Sequence, residues 1–318
     1  MSFLNKLRNL KLYLDYWKLT PLINEGFQRI ESRMNRLERR QEFIQESLGR
    51  IESRQLNNGY NFSLSDNEYR VFSQWGEDGI IQFLIRNIEI ERKIFVEFGA
   101  DNYHLESNTR FLLTNNNWSG LVIDCDSENI NHLKKNPAYW MYNMKAVQAF
   151  ITKDNINKIL QENGLIGEIG LLSIDIDGND YWIWQAINVI SPVIVVVEYN
   201  PRFGRNLAVT VPYEENFERA TAHPSKFYYG ASLRALCLLA ERKGYAFIGC
   251  NKNGVNAFFI RNDRKPNEIK ELSPEEGYVS GTYSEPIVKD GTITKMSSEE
   301  EASLLLNLNL PIVNVEDE

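Results

Sequence analysis

Histidine and cysteine are scarce, with three of each in 318 residues. Cys125, Cys237 and Cys250 show no paired spacing, which excludes zinc-ribbon and CxxC redox motifs, and an odd count argues against a disulfide framework. They read as buried, reduced thiols of a cytosolic protein. Long apolar runs are missing as well. Charges interrupt the opening MSFLNKLRNLKLYL, so it has no signal-peptide core, and no stretch approaches the roughly 20 apolar residues of a membrane span. The two absences together predict a cytoplasmic location. Basic charge is missing from most of the chain. Residues 1–56 carry 11 Lys and Arg against 7 Asp and Glu, or +4, which leaves −12 for the remainder of a chain of net charge −8. An acidic main body excludes nucleic acid as the expected partner.

What is present is apolar enough for a globular protein, at 43% hydrophobic and 12% aromatic residues. Near the start, Ile23, Phe27, Ile30, Met34, Leu37, Gln41, Ile44, Leu48, Ile51 and Gln55 alternate spacings of four and three. This is a heptad seam with Ile23, Ile30, Leu37, Ile44 and Ile51 at d and the others at a. Residues 21–56 are therefore expected to form a coiled-coil helix that makes a homo-oligomer through residues 23–55. The alternative is a single amphipathic helix folded back on its own domain. Residues 1–20 read as a separate segment before Pro21. There Phe3, Leu7, Leu10, Leu14 and Trp17 share one face, with Lys6, Arg8, Lys11 and Lys18 elsewhere. Residues 3–18 suit peripheral contact with the inner face of a membrane or packing within the oligomer. The polar stretch QLNNGYN (55–61) marks a linker.

Beyond it, IFVEF (94–98), GLVID (120–124), KAVQAF (145–150), IGLLSID (169–175) and VIVVVEY (193–199) are separated by helix-sized segments, the signature of βαβ units. YAFIGC (245–250) and NAFFI (256–260) flank the turn NKNGV as an antiparallel hairpin. The predicted fold class is α/β, a doubly wound Rossmann-like sheet, mostly parallel, with an antiparallel hairpin at the end and an α-helical coiled coil before it. The main domain spans 57–262. Residues 263–318 are acidic and punctuated by proline, and read as a loosely ordered tail.

In such a sheet ligands bind beyond the carboxyl ends of the strands, and there stand Glu97, Asp124, Asp175 and Glu198. Asp124, at the end of the second strand, is where an acid accepts hydrogen bonds from ribose hydroxyls. Glycine is conspicuously missing from the first turn, FVEFGADNY (95–103), which has only Gly99. Dense glycine lets backbone close on a pyrophosphate, whereas Glu97 and Asp101 would repel one. A ligand with adenosine, a cationic centre and no phosphate fits better, and S-adenosyl-L-methionine is such a ligand.

SQWGEDGI (73–80), FVEFGADNY (95–103), ESNTRFLL (106–113), WSGLVIDCDSEN (118–129) and LLSIDIDGNDYWIW (171–184) together resemble the FkbM-like S-adenosylmethionine-dependent methyltransferases, over about residues 70–262. The resemblance implies that Glu97 and Gly99 form the first cofactor motif and that Asp124 is the ribose ligand. It places Ala149 and Phe150 near adenine, and Gln74, Ser107 and Asn108 in the cofactor-side shell. The chain departs from many relatives in carrying Asp-Ile-Asp at 175–177 where they have Asp-x-Glu, and Ser173 where a Lys often stands. Asp175 is expected either to hold the methionine ammonium or, with Glu198 and Asn200, to bind Mg²⁺ through oxygen donors. His223 is the expected base, in a polar insertion (201–230) that reads as a lid, and Asp177 can swing into the cleft beside it. His104 is a second histidine able to face the cleft. Tyr213, Tyr228, Tyr229, Arg202 and Arg205 suit stacking on a sugar or packing within the lid. The expected activity is O-methyl transfer to a sugar hydroxyl of a surface glycan or its precursor. A metal-dependent glycosyltransferase using Asp175 and Asp177, or an oligomeric scaffold that binds ligand without turnover, are the alternatives.

Overall fold

The computed structural model describes residues 3–56, 64–101, 103, 106–282, 287–289 and 292–316, with side chains from residue 20 onward except at 22 and 287–294. The chain divides into two compact units, residues 1–48 and 49–318. Helix α1 (Phe3–Gln55) makes up the described part of the first and enters the second. It contains Pro21 without ending there, which corrects the expected break at residue 20. Proline removes one backbone hydrogen bond, but helix formers on both sides carry the helix through it. The amphipathic face read over residues 3–18 concerns side chains outside the described residues, as does most of the linker. No described helix is long and apolar enough to cross a membrane.

The second unit is built on strands β1 (Ile94–Phe98), β2 (Ser119–Asp124), β3 (Met144–Gln148), β4 (Gly167–Ile174), β5 (Ile190–Glu198), β6 (Val209–Thr210), β7 (Tyr245–Cys250) and β8 (Asn256–Arg261). Seven of them form one sheet in the order β3-β2-β1-β4-β5-β8-β7. The first five are parallel, while β8 runs antiparallel to both β5 and β7. This is the predicted doubly wound sheet with its terminal hairpin, and every expected strand is present to within a few residues. Its strands alternate between two cores. Val96, Phe98, Leu172, Ile174, Val195 and Val197 pack on one face; Phe95, Val122, Leu171, Ile194, Val196 and Phe258 pack on the other. Both faces are covered by helices, which explains why the strands read as continuous apolar runs.

The helices are α2 (Glu77–Asn87), α3 (Arg110–Asn116), α4 (Ser127–Lys135), α5 (Pro137–Met141), α6 (Ile156–Glu162), α7 (Asp180–Ala186), α8 (Arg219–Ala222), α9 (Leu233–Lys243), α10 (Pro274–Gly277) and α11 (Ser298–Asn307). A separate ribbon pairs β9 (Ile287–Lys289) with β10 (Thr292–Thr294). The last strand, β11 (Val313–Asn314), pairs antiparallel with β6.

That pairing corrects the loose tail expected from residue 263. Val315 is fully buried, the Tyr228 hydroxyl donates to the Pro311 carbonyl at 2.5 Å, and Arg202 Nε donates to Glu301 Oε2 at 2.7 Å with both side chains about 95% buried. The acid surplus that made the tail look solvated hides a partner 99 residues away. Glu301→Ala should leave the Arg202 guanidinium buried and uncompensated, at a cost of about 3–5 kcal/mol in urea unfolding. Replacing both at once, with Glu301→Leu and Arg202→Met, should recover most of that loss. Equal instability of the single and double variants would refute the pairing as the tail's anchor.

Candidate active site

A cavity of about 800 Å³ opens at the carboxyl ends of β1, β2, β4 and β5. Its floor is set by a close backbone approach. Gly99 has φ +68°, and a Cβ there would collide with the carbonyl of Asp175, so only glycine lets the turn after β1 meet the end of β4. Asp101, Tyr103 and Glu106 also take positive φ, so the turn curls through left-handed residues where a phosphate-binding loop would use glycines.

Among the residues expected for the cofactor, Gln74, Gly99, Asn108, Asp124, Ala149, Phe150 and Asp175 all line this cavity. Asp124 ends β2, and its Oδ1 accepts from the Asp126 amide at 2.8 Å and from Asn129 Nδ2. Burial raises its pKa. Glu97 and Ser107 are brought together but sit behind the cavity wall. Glu97 accepts from Ser107 Oγ at 2.8 Å, Thr109 Oγ1 at 2.5 Å and the Asn108 amide at 2.6 Å. It therefore positions the 107–109 turn and leaves Asn108 as the residue of that turn that lines the cavity. Asn108 Nδ2 in turn donates to Ser173 Oγ, across from Glu97 in the β1–β4 register. Burial pushes Glu97 up to about 7, against the lowering effect of those three donors.

Two further anchors went unread in the sequence. Asp78 Oδ2 accepts from the amides of Val71, Phe72 and Ser73 at 2.7 Å each, and Glu77 Oε1 accepts from Asn251 and Asn256. The SQWGEDGI block thus works as a clamp holding Gln74 at the rim. Asp180, at the start of α7, accepts from the amides of Ile176 and Gly178 and fixes the loop that carries Asp175 and Asp177.

At the other end of the cavity the acids converge. One oxygen each of Asp175, Asp177 and Glu198 lies within 4.8 Å of the others. Asp175 meets the cavity, but its carboxyl lies deep among protein atoms. Burial first, then the charges of Asp177 and Asp180, raises its pKa well above the ordinary range. Glu198 is raised in the same way, by burial and then by Asp175, Asp177 and Asp180. The two carboxyls stand close together, and both favour the protonated form. Glu198 Oε2, Asn179 Oδ1 and Asn256 Oδ1 are buried without a hydrogen-bond partner, all on residues that line the cavity.

Two expectations are corrected here, for Asn200 and His223. Asn200 is not part of the acidic cluster. Pro201 ends the strand direction after Glu198, and the Asn200 amide is spent on the Phe227 and Tyr229 carbonyls while its oxygen accepts from the Arg202 amide. Asp177 takes its place. His223 does not line the cavity, because its Nδ1 closes a local turn with the backbone and hydroxyl of Ser225. His104 lies outside the described residues. The lid residues Tyr213, Tyr228, Tyr229, Arg202 and Arg205 are packing elements, none of them in the cavity wall. Arg202 pairs with Glu301, and Tyr229 lies under the Arg219 guanidinium at 3.9 Å.

The lid residue that does matter was missed. Arg219, on α8, lines the cavity and donates from Nη1 to Asp177 Oδ1 at 2.6 Å, while its Nε donates to the Lys226 carbonyl. It is the only cation among the described lining residues, against eight acids: Asp101, Glu106, Asp124, Asp126, Asp175, Asp177, Glu198 and Glu218.

No family model matches the chain, and no curated protein does. Solved structures do match it at low identity. A Staphylococcus aureus protein described as a caffeoyl-CoA O-methyltransferase is 12% identical, covering 69% of this chain and 99% of its own, with a TM-score of 0.40. An S-adenosylmethionine-dependent methyltransferase from Clostridium acetobutylicum is 9% identical, over 58% and 89%, at 0.36. TrmK of M. capricolum, bound to S-adenosylhomocysteine, is 14% identical, over 58% and 68%, at 0.33. The fold is a doubly wound, Rossmann-like sheet. Its strand order, with one antiparallel strand inserted beside β5, carries that statement.

The buried acids make stability depend on pH in a definite direction. Glu97 is raised from 4.5 to about 7, so its contribution is full below about 4.5 and is lost as pH rises through 7. Asp78 and Asp180, each raised by burial to about 6, act in the same sense. Urea unfolding of the ligand-free protein should show stability falling between about pH 5 and 7.5. Glu97→Gln keeps the shape and a hydrogen-bonding oxygen, so the variant should fold and show a shallower fall. An unchanged slope would mean that Glu97 is already ionised in the folded protein.

Proposed function

We propose that this chain is an S-adenosylmethionine-dependent O-methyltransferase of the FkbM-like kind, acting on a sugar hydroxyl of a surface glycan or its precursor. The observation that carries the reading is the cavity's charge, eight acids against one arginine at the carboxyl edge of the sheet. A pyrophosphate would be repelled there, which disfavours dinucleotides and the nucleotide-sugar of a glycosyltransferase. A sulfonium and an ammonium would be attracted.

In this reading Asp124 accepts the ribose hydroxyls and Ala149 and Phe150 meet the adenine, which their place in the cavity wall supports. Asn108, Gln74 and Gly99 form the wall toward the amino-acid part. Bound there, S-adenosylmethionine would supply an electrophilic methyl carbon to the acceptor oxygen, with the sulfur keeping the electron pair of the bond it gives up. The proton lost by that oxygen passes to the Asp175–Glu198 pair, whose raised pKa values make the ionised form a stronger base. Unpartnered oxygens on Glu198, Asn179 and Asn256 call for donors, which a polyhydroxylated acceptor provides. Arg219 holds Asp177 and closes the lid over this end.

The same donors fit a hard divalent cation. Asp175, Asp177 and Glu198 are all oxygen ligands, and Glu198 Oε2 is free to serve. Mg²⁺ held by them would bind and acidify the acceptor hydroxyl, with Arg219 releasing Asp177.

Asp124→Ala should weaken binding of S-adenosylmethionine by ~1.5–3 kcal/mol, about tenfold or more, in calorimetry. Unchanged affinity in a folded variant would sink the cofactor assignment. Chelation decides the role of the cation. If the three acids hold Mg²⁺, methyl transfer to cell-derived glycan should stop after EDTA and return with Mg²⁺. Full turnover after exhaustive chelation would leave the carboxyl pair as the base without a metal.

A further inference from the structure

The geometry points to a second copy of this chain as the occupant of the apolar face of α1, in a parallel coiled coil of three or four helices. Ile23, Phe27, Ile30, Met34, Leu37, Ile44 and Leu48 are each 53–66% exposed. These are the a and d positions of the seam, and on one helix alone they would face water.

Where the helix enters the second unit, at residues 49–55, it packs by a different face. Gly49 and Ser53, which belong to that unit, are buried. A Cβ on Gly49 would meet Val71 and Phe111, and Ser53 Oγ bonds to the Tyr69 hydroxyl at 2.5 Å. In the heptad these are b and f positions, on the side away from the seam. Ile51, a d position between them, is still 50% exposed. The helix therefore packs home with one face and presents the other.

Charge fixes the partner and its direction. Counting from Ile23 at d, the e positions hold Glu31, Glu38 and Glu52, and the g positions hold Arg33, Arg40 and Arg54. Of these two flanking positions, e carries only acid and g only base among their charged residues. In a parallel coil each g faces the e′ of the next heptad, so Arg33 meets Glu38 of its neighbour. An antiparallel coil would set e on e′ and g on g′, like charge against like. The seam residues set the number of chains. Four of the five d positions are Ile, and the apolar a positions are Phe, Met and Leu with no β-branched residue, a pattern that favours three or four strands over two.

Light scattering on the full chain should give three or four times the 36.9 kDa of one chain. A mass of one or two chains overturns the proposal. Leu37→Glu with Ile44→Glu should reduce the particle to a single chain while circular dichroism shows the sheet domain folded. A variant that stays assembled places the interface elsewhere. Direction is read from charge exchange. Arg33→Glu should raise the concentration of half-dissociation about tenfold, summed over the pairs it reverses, and adding Glu38→Arg should return it. Tighter assembly of Arg33→Glu alone would show antiparallel packing and overturn the parallel coil. None of these readouts involves methyl transfer, so failure of the proposed function would leave the outcome intact.

Discussion

Taking carboxylates out of water at one edge of a sheet is the constraint on which the rest of this structure depends. A buried acid must find donors or hold its proton. Asp78, Glu97 and Asp180 find donors, each collecting backbone amides from a loop that would otherwise have no fixed shape. Those loops are the rim at 71–74, the turn at 107–109 and the stretch 175–178. The acids are thus the scaffold of the cavity more than its contents. Asp175 and Glu198 stand close together at the same edge without that supply, and desolvation and the charge of neighbouring acids raise the pKa of both. The division between satisfied and unsatisfied acids is the division between architecture and chemistry in this site.

The arrangement also selects its ligands by charge. Arg219 is held on three sides by Asp177, the Lys226 carbonyl and the face of Tyr229, so it balances the cluster and offers little to an anion. Cationic or donor-rich groups are the ones that relieve the cavity's field. The proposed sulfonium donor and polyhydroxylated acceptor would both meet that demand, so one charge argument bears on both halves of the proposal.

Much of this was legible in the sequence, and the failures share a cause. Strands β1, β2, β4 and β5 announce themselves because both faces are buried, so apolar residues dominate each run up to an acid at or near its end. Asp124 and Asp175 were found for that reason. Asn200 was misplaced because alternation from Glu198 would bring it to the cleft only if the strand continued, and Pro201 turns it into a cap. His223 was a plausible base in a polar insertion, yet its ring nitrogen is committed to Ser225 two residues away. Arg219 and Glu301 were missed because their partners lie 42 and 99 residues distant, and no local pattern marks such pairs. Periodicity reports which face is buried. It says nothing about which two polar groups meet there.

The heptad of α1 is an exception that sharpens the rule. Its a and d residues were legible from their spacing and stand exposed, whereas the residues that the structure buries near the helix end are Gly49 and Ser53, at b and f. A sequence with one apolar stripe gives no hint of that burial, because Gly49 and Ser53 are small and polar enough to pass for solvent positions. Smallness is what the packing requires there: Gly49 lets the helix backbone come against Val71 and Phe111, and Ser53 replaces bulk with a hydrogen bond to Tyr69. An apolar stripe and a stripe of close approach are different physical solutions to covering a helix. Using one on each side allows a single helix to be anchored to its own domain and still offer its hydrophobic face to another chain.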